Sequence, residues 1–167
     1  MSEEWIERLA GEIKQKNREA AERYGRDRHF AGIIAAGAPG FFVALAEQVQ
    51  KNVEAIRRHL QGDATAAEMA VERGAAGGAA NEIRITRARF PWVDARVAHR
   101  EDTITFDYAK DAGVAGDPKL ERTVRTFVFR VAADDKLYVE DAFADRTARY
   151  ATPGDLARKI VEELFAV

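Results

Sequence analysis

The hydrophobic pattern of the chain changes its period near residue 80. Before this point apolar residues recur every three or four positions, as in Val49, Val53 and Ile56, which is the spacing of one helix face. After it apolar and polar residues alternate, as around Ile104 and Phe106, which is typical of a half-buried strand. The pattern therefore predicts a helical first part followed by a sheet.

Three helices are predicted in the first part of the chain, over residues 2–25, 27–37 and 39–62. Their boundaries fall at glycines and at a proline, because glycine favours the end of a helix and proline its first turn. Thr65 and Glu68 have the spacing of a capping box and predict a short fourth helix. Residues 74–80, which are only Gly and Ala, predict a flexible joint.

Five or six strands are predicted after this joint, and they are expected to pair antiparallel because their connections are short. The segment from Thr152 to Asp155 has the residues of a helix start, with Thr at the N-cap and Pro at the first helical position. The fold class expected is α+β, with N-terminal helices, an antiparallel sheet and a C-terminal helix packed on the sheet. The predicted strands lie near residues 82–90, 92–99, 102–109, 122–132, 136–143 and 145–150.

The turn around Asp134 and Asp135 permits a prediction of strand register. A two-residue loop would send the apolar residues of the two flanking strands to opposite faces of the sheet. A three-residue loop instead places Val131 opposite Leu137 and Phe129 opposite Val139. The pattern therefore predicts an odd-length loop with an Asp in the left-handed conformation.

Length and composition are those of one ordinary globular domain covering residues 1–167. The chain is 47% hydrophobic and 32% charged, and its size allows a sizeable core. It has no cysteine, which excludes a disulfide, a thiolate nucleophile and a zinc–thiolate site and favours a cytoplasmic location. Within the domain we expect a helical part (1–73), the joint (74–80), the sheet (81–151) and the last helix (152–167).

Residues 30–46 carry no charge and raise the question of a membrane span. The stretch is shorter than the roughly 20 apolar residues that a span needs. It also contains three glycines and Pro39. The sequence therefore favours buried helices over membrane insertion.

No motif of catalysis, of metal binding or of a cofactor site is present. The three histidines are far apart and none has a second histidine three or four positions away, so no metal site is predicted. Ser2 is the only serine and suits a helix N-cap better than a nucleophilic role. The sequence therefore predicts no cofactor and favours a protein that is not an enzyme.

A small-ligand site between sheet and helices is one alternative. A concave sheet could direct polar groups of its strands into a pocket, and the candidates are Arg96, Asp107, Tyr108 and Arg130. Strand alternation places Asp107 opposite the apolar face that contains Tyr108. An exposed polar face is the favoured explanation of Asp107.

Nucleic-acid binding is a second alternative, because arginines and aromatic residues on a sheet can contact phosphates and stack on bases. Strand alternation, however, sends Arg84 and Arg87 to opposite faces, and the net charge of −2 argues against this class. The candidate residues are Arg84, Arg87, Arg89, Trp92 and Arg100.

The favoured hypothesis is self-association, as a homodimer, or binding of another protein through the helical part. The helices carry more bulky apolar residues than one buried face requires. Trp5 and Ile6 near the N-terminus, and Phe41 beside Phe42, are the candidate interface residues.

Overall fold

The structure, a computed structural model, describes residues 3–63, 68–74, 81–89, 92–111, 113, 117, 119–143 and 148–166. It confirms the predicted α+β class: a long N-terminal helix is followed by an antiparallel sheet and a C-terminal helix. The elements are α1 (Glu3–His59), β1 (Met69–Arg73), β2 (Glu82–Arg87), β3 (Val93–Arg100), β4 (Thr103–Asp111), β5 (Leu120–Val131), β6 (Leu137–Asp141), β7 (Arg149–Tyr150) and α2 (Pro153–Phe165).

Helix α1 is continuous over 57 residues, so the prediction of three separate helices was wrong. At 1.5 Å per residue it is about 86 Å long. Gly25 does not end it, because a glycine inside a helix costs only about 1 kcal/mol. Pro39 lies on its exposed side, while neighbouring Ala38 and Phe41 are buried against the rest of the protein. Packing on both sides of Pro39 therefore holds the helix together across it.

Strand β1 replaces the predicted short fourth helix. Met69 pairs with Arg87 and Val71 pairs with Ile85, so residues 69–73 extend the sheet by one edge strand. Met69 is buried against the core, and this contact outweighs the local helix-capping signal of Glu68. Thr65, the other half of the predicted capping box, lies outside the described residues.

The seven strands form a simple meander in which each strand pairs antiparallel with the next along the chain. The sheet is curved like a half-barrel, and it has one or two strands more than predicted. The predicted hairpin register is confirmed, since Val131 pairs with Leu137 and Phe129 with Val139. Asp135 has φ of +63°, which is the left-handed conformation expected for a residue of this loop.

One hydrophobic core lies between the inner face of the sheet and the two helices. Alternate residues of the strands, such as Ile104 and Phe106 on β4, point into it and are fully buried. The C-terminal half of α1 and one side of α2 pack on the inner face of the sheet and cover the core. Gly37 marks a close approach of α1 to β6, because a Cβ atom there would be 3.1 Å from Cδ2 of Leu137 and this side chain would have to shift by a few tenths of an ångström.

Candidate functional site

The N-terminal half of α1 projects away from the rest of the protein. Residues 3–29, which we call the arm, are all exposed, whereas the core contacts of α1 begin with Ile34 and Ala38. The arm is about 40 Å long at the helical rise per residue. At its base, Nε2 of His29 lies 3.1 Å from Oδ2 of Asp135 in the β5–β6 turn. The arm is thus an exposed helical extension whose base lies beside the β5–β6 turn.

A stripe of large apolar side chains runs along one side of the arm. These side chains remain 45–69% exposed although their type is usually buried. We call this set the arm stripe, and its members are Trp5, Ile6, Leu9, Ile13 and Tyr24.

The arm stripe continues the line of α1 side chains that fills the core. Ile6 and Leu9 precede Phe42 and Leu45 by 36 positions, which is ten whole turns of an α-helix. The same helical side therefore packs on the sheet in the second half of α1 and faces solvent in the first half. This side of the arm is apolar, as in a packed helix, but no element among the described residues covers it.

Charge is distributed unevenly along the arm. Residues 3–12 contain four glutamates and one arginine, a formal charge of −3. Residues 13–28 contain six basic and three acidic side chains, a formal charge of +3. The arm is therefore acidic at its tip and basic towards its base.

Helix α1 also contains a stretch that is apolar and long enough, by length and composition, to cross a membrane. Its mean hydropathy over 18 residues is 1.7, and 22% of those residues are buried. Phe41 and Phe42, in the uncharged segment 30–46, belong to the core. On the opposite side of this segment, Gly40 and Val43 are exposed.

The structure separates the four residues predicted to bind a small ligand. Asp107 lies on the outer face of the sheet and accepts hydrogen bonds from Arg122 at 2.9 and 2.6 Å, and this contact lowers the pKa of Asp107. Arg96 is its neighbour on β3, but Tyr108 points to the core face. Arg130 is farther along β5, where it pairs with Glu140 at 3.3 Å. These residues do not converge on one pocket.

The arginines predicted to contact nucleic acid are also divided between environments. Arg84 pairs with Asp94 at 3.1 Å on the outer face, while Arg87 lies in register with buried Met69 and Val93 on the core side. Of the remaining candidates, Arg89 forms an ion pair with Glu68 at 2.7 Å. Arg100 is exposed and Trp92 is half-buried.

The four predicted interface residues are divided in the same way. Trp5 and Ile6 belong to the exposed arm stripe. Phe41 and Phe42 are core residues instead. The ring of Phe41 meets that of Phe129 edge-on with centroids 5.3 Å apart, and the ring of Phe42 stacks on that of His99 with centroids 5.7 Å apart. Both phenylalanines are buried because α1 lies over the sheet where they occur.

A cluster of charged and phenolic groups lies between α2 and the core face of the sheet. Oε1 of Glu163 accepts hydrogen bonds from Tyr108 at 2.6 Å and from Arg125 at 2.5 Å. Arg125 also lies 3.7 Å from Asp141, and Lys159 lies 3.6 Å from Glu163. The carboxylates of Glu163 and Asp141 are almost fully shielded from solvent.

The electrostatics of this cluster are those of a structural ion pair. Burial raises the pKa of Glu163, but the hydrogen bonds from Tyr108 and Arg125 and the nearby positive charges outweigh burial, and the net pKa is lowered. Burial and the contact with Glu163 raise the pKa of Tyr108. The pKa values of both groups are thus moved further from neutral pH, whereas a general acid or base works best with a pKa near neutral pH. The cluster fastens α2 to the sheet.

Sequence reasoning missed this cluster, although its signal was present. Arg125 shares the strand face of Phe127 and Phe129, and Asp141 that of Val139. Glu163 follows Ile160 by three positions on the buried side of α2. Charged residues at positions that alternation assigns to the core predict a buried ion pair.

The described residues contain no group of three or more side chains suited to hold a metal ion. The surface depressions found among them are open to solvent. One runs between α1 and α2 and is bordered by Gln48, Asn52, Arg158 and Glu162. The floor of this groove is apolar and is formed by Ala55, Ile56 and Val161, and at its edge Arg158 is paired with Glu162 at 2.7 Å.

Comparison of the chain with protein-family models, with curated proteins and with solved structures finds no match in any of the three. The exposed apolar side and the uneven charge of the arm are therefore the features from which a function can be inferred.

Proposed function

We propose that this protein is an association module that binds a protein partner through the exposed stripe of its arm. The observation that carries the proposal is the exposure of Trp5, Ile6, Leu9, Ile13 and Tyr24 on one side of a helix whose continuation packs in the core. Exposed apolar patches of this kind, bordered by charges, are typical of protein–protein contact sites.

Energetics support this use of the arm. An isolated helix gains little from its own backbone hydrogen bonds, and most helices in proteins are stabilised by packing of an apolar face. Covering the half-exposed stripe would contribute about 1 kcal/mol for each of its large side chains. The arm thus gains both order and burial when a partner covers it.

The competing classes have less support. The candidate ligand residues are spread over two sheet faces, and Asp107 and Arg130 already have charged partners. The candidate nucleic-acid residues share neither one face nor one environment. A non-enzymatic role in association agrees best with these positions.

Site-specific photocrosslinking in cells tests the proposal. A photoreactive amino acid replaces Leu9 in the arm stripe, and in a matched variant it replaces Arg18, which is two and a half turns away on the opposite side of the arm. We expect protein adducts from position 9 and few from position 18.

Both variants retain the packed core, because neither position contacts it. No adduct from position 9, or equal adducts from both positions, would overturn the proposal. The mass of the adduct identifies the partner class, since a self-adduct has twice the 18.6 kDa mass of the chain.

A further inference from the structure

We infer that the partner of the arm is the arm of a second copy of this chain, paired antiparallel. This inference rests on the proposed function and names its partner. It follows from three features of the arm: its charge distribution, the placement of Ile6 and Tyr24 on one side of it, and its distance from the rest of the protein.

The charge distribution favours an antiparallel pair of identical arms. In such a pair the tip of each arm, with formal charge −3, lies beside the basic stretch of the other, with formal charge +3. A parallel pair would place acidic tip against acidic tip and basic stretch against basic stretch. Opposite charges along paired helices select orientation in this manner.

A two-fold axis near Gln15 also matches the apolar residues of the two arms. It brings Ile6 of one arm to the level of Tyr24 of the other, and Leu9 to the level of Ala21. Ile6 and Tyr24 are 18 positions apart, which is five whole helical turns, so both lie on the stripe side of the arm and can meet across the pair. Trp5 comes to the level of Gly25, but Gly25 lies on the side of Arg18, away from the stripe.

The position of the arm leaves it accessible to a second arm, because residues 3–29 are all exposed. The arm projects along its whole length, and its contact with the sheet domain begins at His29 and Asp135. In the antiparallel pair the two sheet domains lie at opposite ends, about 40 Å apart along the arms. An anionic membrane surface would attract the basic stretch but repel the acidic tip, whereas a second arm complements both.

Cysteine crosslinking distinguishes the orientations cleanly, because the chain has no cysteine of its own. Ile6→Cys and Tyr24→Cys are prepared as separate full-length proteins and oxidised alone and as a mixture. In an antiparallel pair the two copies of position 6 are about 27 Å apart, as are the two copies of position 24. We expect a disulfide dimer in the mixture and little in either variant alone.

Arg18→Cys is the matched control, because it lies on the opposite side of the arm and should not crosslink in any mixture. Sedimentation of the uncrosslinked protein at tens of micromolar gives the subunit count independently. Rapid crosslinking of Ile6→Cys alone would show a parallel pair and overturn the inference.

Charge reversal provides a second test with a different readout. The triple variant Glu4→Lys, Glu7→Lys and Glu12→Lys places positive tips beside positive stretches. We expect dimer affinity to fall at least tenfold at low salt and to recover partly as salt rises, which is opposite to the salt dependence of the unmodified protein. Unchanged affinity would overturn the inference.

Failure of self-pairing is distinguishable from failure of the proposed function. A monomer that yields photoadducts of another protein from position 9 overturns only the self-pairing. A monomer without adducts that binds vesicles containing anionic lipid overturns both, since the arm would then recognise a membrane surface.

Discussion

Tyr108 donates a hydrogen bond of 2.6 Å to Oε1 of Glu163, which joins the middle of β4 to the last turn of α2. Arg125 on β5 donates to the same oxygen at 2.5 Å. The second carboxylate oxygen of Glu163 is buried and has no hydrogen-bond donor among the described residues. One carboxylate therefore holds two strands and a helix together, and its charge is balanced by Arg125 and Lys159.

Replacing Glu163 by Gln should lower the free energy of unfolding by about 1.5 kcal/mol. The change removes the negative charge that Arg125 pairs with. Leaving the partly buried guanidinium of Arg125 poorly compensated costs about 1–3 kcal/mol of stability. It also removes an acidic group from the C-terminal turn of a helix, which returns a few tenths of a kcal/mol. Urea unfolding at equal protein concentrations measures the difference.

Glu162→Gln is the matched control, because Glu162 is exposed and pairs with Arg158 only across one helical turn. We expect it to cost about 0.3 kcal/mol. Equal effects of the two substitutions would contradict a special role of Glu163.

The advantage of Glu163 over Gln should depend on pH in a defined direction. The folded protein lowers the pKa of Glu163 below the ordinary value of a glutamate, so the stabilisation is present above the unfolded pKa and is lost as pH falls through the folded pKa. The stability difference between the two proteins should be constant near neutral pH and shrink below about pH 4.5. A difference that grows on acidification would reverse the assigned sign.

Phe42→Ala should lower stability by about 3 kcal/mol, because it removes a buried ring and leaves a cavity beside His99. Val43→Ala is the matched control on the exposed side of the same helix turn, and its effect should be within about 0.5 kcal/mol.

Arm crosslinking at position 9 should persist in both variants. Loss of crosslinking with unchanged stability in Phe42→Ala would instead return this residue to the interface.

The sequence predicted the order of elements well because each half of the chain has a clear hydrophobic period. The alternation on each side of Asp134 even determined the register of β5 and β6. The continuity of α1 was not predictable from local signals, because Gly25 and Pro39 are ordinary helix terminators. Only the packing of Ala38 and Phe41 against the sheet domain shows that the helix continues.

The interface was predicted only in part for a related reason. Helical spacing identifies which residues share one side of a helix, as it does for Ile6 and Phe42. It does not show which part of that side packs against the rest of the protein. The structure shows coverage from Ala38 onwards and exposure before residue 30. The buried cluster around Glu163 was not predicted, because its groups come from the sheet and from α2, and their contact is visible only when both elements are placed in three dimensions.

Pro39→Ala should increase the free energy of unfolding, because alanine supplies the backbone N–H that proline lacks inside α1. Proline in a helix interior costs about 3 kcal/mol relative to alanine. Part of this gain is offset, since proline also restricts the unfolded chain by about 1 kcal/mol. We therefore expect a net gain of about 2 kcal/mol, measured as a higher urea midpoint with an unchanged m-value.

Gly40→Ala serves as the matched control for this prediction, because it lies one residue away and a Cβ atom there meets nothing within 4 Å. Its expected gain is about 1 kcal/mol from helix propensity alone. A loss of stability in Pro39→Ala beside a gain in Gly40→Ala would mean that α1 needs a bend at Pro39. The arm and the core-packing half of α1 would then require different directions, and a straight helix would separate Ala38 and Phe41 from the sheet.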